Sequence, residues 1–276
     1  MNVEEALEVF GMSDPGMVRS HNEDSIGTLP ERGLAILADG MGGYNAGEVA
    51  SGIAVSLIAA EMKQTLVDHD PAQVDPQTGR TRAELLLREQ IQRANASVYQ
   101  AAQSQPQYSG MGTTLVVALF FDNRVAVGHI GDSRTYRLRG DELSQITKDH
   151  SLLQEQIDSG MITKEEARLS MHKNLVTRAL GIDPAVEPEI HVHDAKPEDI
   201  YLLCSDGLND MVEDEEIRLT LLTLRGNLPL AARQLVQLAN DNGGRDNVSV
   251  VLVRVKGDFS AQRGGGLSRL FSKFRK

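Results

Sequence analysis

The chain has 276 residues, and 28 Lys and Arg against 39 Asp and Glu give it a formal charge of −11. Its 41% hydrophobic residues are enough for a sizeable core and exclude global disorder, while the acidity argues against a nucleic-acid partner held through phosphate contacts. The single cysteine, Cys204, cannot form an internal disulfide, so we expect a buried thiol and a cytoplasmic location.

Short apolar runs bounded by turn residues predict buried strands, and longer stretches with apolar residues at helical spacing predict helices. In chain order the predicted strands are 34–38, 115–121, 125–130, 135–139, 143–147, 200–204 and 248–255, and the predicted helices are 48–67, 82–103, 213–224 and 228–241. The second and third strands, like the fourth and fifth, are joined by links too short for a parallel crossover. We therefore predict an α+β fold in which packed antiparallel sheets are covered by helices.

Two further segments differ from this core. Residues 151–174 are charged and predict a mobile helical insertion within the same domain. Residues 257–276 carry a local charge of +4, which leaves −15 for the rest of the chain. After a Gly-rich linker, the apolar residues of 267–276 recur at helical spacing. Two interpretations stay open, a disordered tail or a basic amphipathic helix that contacts an anionic membrane surface or an acidic partner.

Four aspartates stand at the ends of predicted strands. Asp39, Asp132 and Asp206 follow apolar runs directly, and Asp246 precedes the last strand. Any one of them alone would be an ordinary turn residue. In an antiparallel sheet, however, the start of one strand lies beside the end of its neighbour, so we expect all four at one edge.

Such a cluster needs positive charge, because removing a carboxylate from water without a partner is unfavourable. The nearest basic residues in sequence are Arg134, Lys148 and Arg245, which are too few to neutralise it. An all-oxygen set suits magnesium or manganese rather than zinc. Two such ions sharing a carboxylate would activate water for in-line displacement at phosphorus, and Arg19 offers a planar fork for the phosphate. The leading hypothesis is metal-assisted hydrolysis of a phosphate ester.

Nine short motifs occur in a fixed order within residues 9–256. They are Arg19–Asp24, Ala38–Gly43, Gly47–Glu48, Gly112–Thr114, Gly131–Arg134, Asp149–Ser151, Thr177–Gly181, Ser205–Leu208 and Gly244–Asn247. This set resembles the metal-dependent serine/threonine protein phosphatases of type 2C, in their bacterial branch. The resemblance implies a central antiparallel β-sandwich flanked by helical pairs, in four layers α-β-β-α. It also implies a catalytic domain at 1–256 with a flap at 151–174, followed by the linker and tail at 257–276.

The resemblance further implies metal ligands. Asp39 would bridge two manganese or magnesium ions and take part in catalysis, and Gly40 would add its backbone carbonyl. Asp206 and Asp246 would complete the second site. Asp132, together with Asp206, would form a weaker third site.

Other residues would act around these ligands. Arg19 would be catalytic by binding the substrate phosphate, while Glu23, Asp24 and Asn247 would support the ligands and metal-bound water. Met41 stands where some family members have a histidine proposed as general acid. The leaving-group acid is therefore not assigned to a side chain, and metal-bound water is the default. Tyr44 replaces a histidine common in bacterial relatives, and no role is assigned to it.

The implied function is hydrolysis of phosphoserine and phosphothreonine by water activated at a binuclear metal centre. The implied substrates are a bacterial Ser/Thr kinase, which the enzyme would oppose, and the targets of that kinase. We expect a monomer by default. A cysteine-dependent phosphatase is disfavoured because Cys204 lies in an apolar strand and is followed by Ser-Asp-Gly-Leu-Asn-Asp rather than a nearby arginine. A catalytically silent scaffold is also disfavoured, because every expected carboxylate and Arg19 are present.

Overall fold

Two antiparallel sheets form the centre of the computed structural model, which describes residues 2–43, 46–163, 166–167, 170 and 175–261. The strands are β1 Leu7–Asp14, β2 Asp24–Leu29, β3 Leu34–Met41, β4 Gly112–Thr113, β5 Leu115–Phe121, β6 Arg124–Ile130, β7 Arg134–Arg139, β8 Glu142–Gln145, β9 Glu189–Asp194, β10 Ile200–Cys204 and β11 Val248–Val255. One sheet has the order β1-β11-β10-β7-β8, and the other has the order β2-β3-β5-β6-β9 with β4 beside β3.

Two pairs of helices cover the outer faces of the sheets. The helices of the described residues are α1 Val3–Ala6, α2 Ala46–Asp68, α3 Arg82–Ser104, α4 Leu152–Asp158, α5 Asp206–Asn209, α6 Asp214–Thr223 and α7 Leu228–Asp241, with 3-10 turns at Pro30–Arg32 and Pro106–Tyr108. The pair α2 and α3 packs on the sheet that contains β3, and the pair α6 and α7 packs on the sheet that contains β11. The predicted four-layer α+β sandwich is confirmed.

The alternation of side chains along the central strands explains the layering. In β11, Val250 and Leu252 join the cluster under α6 and α7, whereas Val251 and Val253 point between the two sheets. The strand is buried on both faces, so it appears in the sequence as an uninterrupted apolar run. The same reason makes β3, β5, β6 and β10 recognisable from sequence.

The turn between β5 and β6 shows why these two strands are neighbours. Phe121 pairs with Arg124, which leaves only Asp122 and Asn123 in the turn. Both adopt positive φ, 45° and 54°, a left-handed conformation that short-side-chain Asp and Asn tolerate. The predicted antiparallel hairpin is confirmed, and the turn lies at the end of the sandwich away from the carboxylates that follow β6.

The sequence prediction lacked four strands, β1, β2, β4 and β9. The strand β4 has only two residues, too few to form a pattern, and the other three each lie at the edge of a sheet, where one side of the strand has no neighbour. Their sequences mix polar and apolar residues and are only partly buried, so they lack the continuous apolar signature of central strands. An edge position therefore explains why sequence patterning missed them.

Cys204 is fully buried at the end of β10, and burial raises the pKa of its thiol to about 12. A thiol held protonated in this way is a poor nucleophile, which agrees with the prediction of a structural cysteine. No helix among the described residues is both long and apolar enough to cross a membrane. The tail at 267–276, for which both interpretations stay open, lies outside the described residues, as does much of 151–174 beyond α4.

Candidate functional site

The first pair of carboxylates lies where β2 and β3 run side by side. Asp24 pairs directly with Asp39 in the antiparallel register. Ser205 donates a hydrogen bond to Oδ2 of Asp24 at 2.8 Å, whereas Oδ1 of Asp24 is buried without a partner among the described residues. Burial raises the pKa of Asp24 to about 6 against an ordinary value of 3.8. One carboxylate oxygen of the residue paired with Asp39 is thus buried without a hydrogen bond.

The backbone around Asp39 is fixed by the neighbouring strand. Its N–H donates to Oγ1 of Thr114 at 3.1 Å, and its carbonyl accepts from the Thr114 N–H and from Oγ1 of Thr113, both at 2.8 Å. Desolvation, followed by the charges of the surrounding aspartates, holds the pKa of Asp39 well above its ordinary range. The chain therefore holds this carboxylate in place although its environment opposes ionisation.

Asp206 lies at the start of α5, directly after β10. Desolvation raises the pKa of its carboxyl, and the nearby charges of Asp132, Asp210 and Asp246 raise it further. The next residue, Gly207, packs against the strand that follows Asp246, since a Cβ at this position would lie 2.0 Å from the carbonyl oxygen of Asn247. Only glycine allows these two segments to approach so closely.

Asp132 is buried beside the same group. Burial raises its pKa to about 7, with the charges of Asp149 and Asp210 raising it further and Arg134 lowering it. Arg134 is engaged elsewhere, because its Nε and Nη2 bind both oxygens of Asp149 at 2.7–3.0 Å. Asp210 was not singled out from the sequence. It stands four residues after Asp206, so the i, i+4 spacing of a helical turn is the signal that would have found it.

Arg19 and Asp246 meet although 227 positions separate them in sequence. Nη2 of Arg19 donates to Oδ2 of Asp246 at 2.7 Å, and the arginine side chain remains 52% exposed. The hydrogen bond to Asp246 raises the pKa of Arg19, which stays protonated. A permanent cation with an accessible fork therefore stands at the rim of the carboxylate cluster. Lys148, by contrast, forms an ion pair with Asp158 of α4 at 2.6 Å.

Asn247 anchors the loop that carries Arg19. Its Oδ1 accepts from the N–H of Glu23 at 2.7 Å, and its Nδ2 donates to the carbonyls of Pro15 and His21 at 3.0 and 2.8 Å. Both ends of the loop are thus tied to the residue after Asp246. The side-chain hydrogen bonds of Asn247 are all made to this backbone, while its own N–H donates to Oδ1 of Asp246 at 2.9 Å.

Glu23 and Gly40 connect this loop to β3. The carbonyl of Glu23 accepts from the N–H of Gly40 at 3.1 Å and from Oγ of Ser51 at 2.6 Å. Burial raises the pKa of the Glu23 carboxyl, and a hydrogen bond from the Gly47 N–H opposes that shift. Gly40 itself pairs with Thr113 in β4. Met41 is the last residue of β3, and Tyr44 lies outside the described residues.

A cavity of about 230 Å³ opens beside these carboxylates. Its lining includes Asp132, Asp206 and Asp210 together with Ser151 and residues of α4 such as Gln154. The segment predicted as a flap therefore begins next to the acidic cluster. This position agrees with the sequence interpretation of 151–174 as an element beside the site.

The sequence profile of protein phosphatase 2C matches residues 18–246, which include Arg19 and all four clustered aspartates. The chain belongs to the protein phosphatase 2C family. The prediction of a serine/threonine protein phosphatase is thereby confirmed.

Relatives and solved structures of this family cover most of the chain. The serine/threonine phosphatase stp of Listeria welshimeri is 38% identical over 244 residues, covering 87% of this chain and 93% of its own length. The crystal structure of Mycobacterium tuberculosis PstP/Ppp superposes with a TM-score of 0.81 at 39% identity, covering 91% of this chain and 99% of that one. A PstP catalytic domain in complex with two manganese ions gives a TM-score of 0.78 at 39% identity, covering 90% and 97%. These matches support metal-dependent catalysis by the phosphatase 2C fold.

Proposed function

We propose that this phosphatase hydrolyses phosphoserine and phosphothreonine in proteins with two manganese or magnesium ions held by Asp39, Asp206 and Asp246 and by the Gly40 carbonyl. The observation that carries this proposal is the cluster of aspartates at one edge of the sandwich. Desolvation and mutual repulsion raise the pKa values of Asp39, Asp132 and Asp206, so the folded chain gathers negative charge there at a cost in stability. Divalent cations would offset that cost.

The donor atoms fit hard divalent cations. Carboxylate and carbonyl oxygens are the ligands that magnesium and manganese prefer. The buried, unpartnered Oδ1 of Asp24 adds an acceptor beside Asp39 that a hydrated cation would satisfy. When bound, two such ions supply Lewis acidity that favours attack of water on phosphorus and stabilises the leaving oxygen.

The residues of the chain supply binding and orientation around that centre. Arg19 would bind the substrate phosphate through its guanidinium fork, because it is exposed at the rim and permanently charged. Glu23 and Asp24 would accept hydrogen bonds from the attacking water and hold its orientation. Asn247 would keep the Arg19 loop in register with Asp246 through its three backbone contacts. The proton donor for the leaving group stays unassigned, since Met41 cannot act as an acid.

A weaker third cation would bind between Asp132 and Asp206. These two carboxylates line the same cavity, and the charge of Asp132 raises the pKa of Asp206, so a cation between them would relieve the repulsion. The flap would begin at α4, which also lines that cavity, and residues 1–256 would form the catalytic domain. The substrates would be the phosphorylated products of a Ser/Thr kinase, because the proposed reaction reverses that kinase chemistry.

The proposal is tested by replacing one bridging carboxylate. Asp39→Asn removes a negative charge with little change of shape, so we expect manganese affinity to fall and turnover of p-nitrophenyl phosphate and a phosphothreonine peptide to be lost together. Asp241→Asn, an exposed carboxylate at the end of α7, is the matched control and should leave both unchanged. Full activity in Asp39→Asn would contradict the ligand assignment. A wild-type protein that binds manganese but turns over neither substrate would instead favour the silent scaffold.

A further inference from the structure

Two large apolar side chains point into solvent directly before Arg19. Met17 is 70% exposed and Val18 is 68% exposed on the loop between β1 and β2. Single exposed apolar residues are common on protein surfaces. Two consecutive ones beside the residue proposed to bind phosphate are a different case, because burying them requires a partner that approaches the same site.

The backbone that carries this pair is held firmly. The N–H groups of Met17 and Val18 both donate to the carbonyl of Gly244, at 2.8 and 3.2 Å. Just before them, Gly16 has φ of +78°, and a Cβ there would lie 2.2 Å from the carbonyl oxygen of Asp246. The loop is thus packed tightly on the segment that provides Asp246. Its side chains are presented to solvent by an ordered backbone rather than by a loose loop.

A pre-ordered apolar contact favours binding because little conformational freedom remains to be lost. The spacing also fits a peptide. Consecutive residues of an extended chain advance about 3.3–3.6 Å, so the neighbours of a phosphorylated residue bound at Arg19 stay close to it, and Val18 and Met17 are the residues that directly precede Arg19. The occupant implied by this geometry is a substrate segment with an apolar side chain next to the phosphorylated residue.

We propose that Met17 and Val18 select substrates by contacting an apolar side chain that flanks the phosphorylated serine or threonine. This inference rests on the proposed function, in which Arg19 binds the substrate phosphate. Met17 and Val18 take no part in the reaction itself. They discriminate between substrates by the apolar area that each substrate buries against them.

The test uses two phosphothreonine peptides that differ only in the four residues flanking the phosphothreonine, all leucine in one and all glutamine in the other. For the wild-type, manganese-loaded protein we expect kcat/KM to be about fivefold to tenfold higher for the leucine peptide, mostly through KM. In the double variant Met17→Gln, Val18→Thr, which keeps side-chain size, the ratio should fall to about one. Turnover of p-nitrophenyl phosphate should stay unchanged, because that substrate has no flanking residues.

Val67→Thr is the matched control, since Val67 is 61% exposed near the far end of α2, about 30 Å along the helix from Gly47. It should keep the wild-type ratio. A wild-type ratio near one, a ratio that survives in the double variant, or an equal loss in Val67→Thr would each overturn the inference. Absence of wild-type turnover with all three substrates would overturn the proposed function itself, so the two failures are distinguishable.

Discussion

Removing the Arg19 side chain should separate substrate binding from metal binding. Arg19→Ala deletes the 2.7 Å hydrogen bond to Asp246, the carboxylate proposed as a metal ligand. Because the arginine is 52% exposed, solvent screens this ion pair, and it contributes about 0.5–1 kcal/mol. In Arg19→Ala the guanidinium no longer competes with a metal ion for the Asp246 carboxylate. We therefore expect the Kd for manganese to fall about twofold to fivefold in the variant.

The same change should weaken substrate binding much more. A hydrogen bond to a charged group contributes about 1.5–3 kcal/mol, so loss of the guanidinium should raise KM for a phosphothreonine peptide about 10- to 150-fold. Arg19→Lys keeps the charge but not the planar fork and should give an intermediate KM. Opposite effects on the cation and on the phosphate would identify Arg19 as a substrate-binding residue.

Calorimetric titration with manganese measures the first quantity, and initial rates at saturating manganese measure the second. Arg93→Ala is the matched control, because Arg93 is similarly exposed and forms a 3.0 Å ion pair with Glu61 on the helical face of the protein. It should change neither value. Weaker manganese binding in Arg19→Ala, or an unchanged KM, would refute the reasoning and make Arg19 a structural residue.

Two further perturbations address the assembly of the site. Gly207→Ala places a Cβ 2.0 Å from the Asn247 carbonyl oxygen, so urea titration should show a free energy of unfolding about 1–3 kcal/mol lower than that of the wild type. Gly226→Ala is the control, because a Cβ there has nothing within 4 Å, and it should leave the free energy of unfolding unchanged. Equal stabilities of the two variants would contradict the close packing at Gly207. In EDTA, the free energy of unfolding should fall as pH rises from about 5 to about 8. In the folded state Asp24 and Asp132 have pKa values of about 6 and about 7, so they still hold protons at pH values where the unfolded chain has released them. A rise over that interval in thermal or urea unfolding would show that these carboxyls are not desolvated.

Sequence patterning identifies the central strands because they are buried on both faces. The bounds of β5, β10 and β11 coincide with the predicted ones, since an uninterrupted apolar run has only one interpretation once its length and turn signals are considered. Edge strand β2 was missed for the opposite reason. It begins with Asp24, contains Gly27, and has one edge without a partner strand.

Antiparallel pairing predicts that Asp206 and Asp246 meet, because β10 and β11 are neighbours in one sheet. Asp39 lies in the other sheet, so its approach to them depends on how the two sheets pack, which strand pairing alone does not determine. The side-chain and backbone partners of these residues could not be predicted either. The Arg19–Asp246 contact and the three bonds of Asn247 join segments more than 220 positions apart, and no local pattern encodes which loop folds over which strand end. Side-chain chemistry is thus visible in the sequence, while the pairing of distant loops follows only from the folded arrangement.

The positions of the carboxylates in two different sheets link metal binding to the stability of the fold. Asp39 lies within β3 of one sheet, whereas Asp206 and Asp246 adjoin β10 and β11 of the other, so a bound ion would require both sheets to be in place. An ion that binds only the folded chain stabilises it by about 2.7 kcal/mol at a concentration 100 times its Kd. Cellular supply of manganese or magnesium would then set how much of this protein escapes proteolysis, as well as how fast each molecule works.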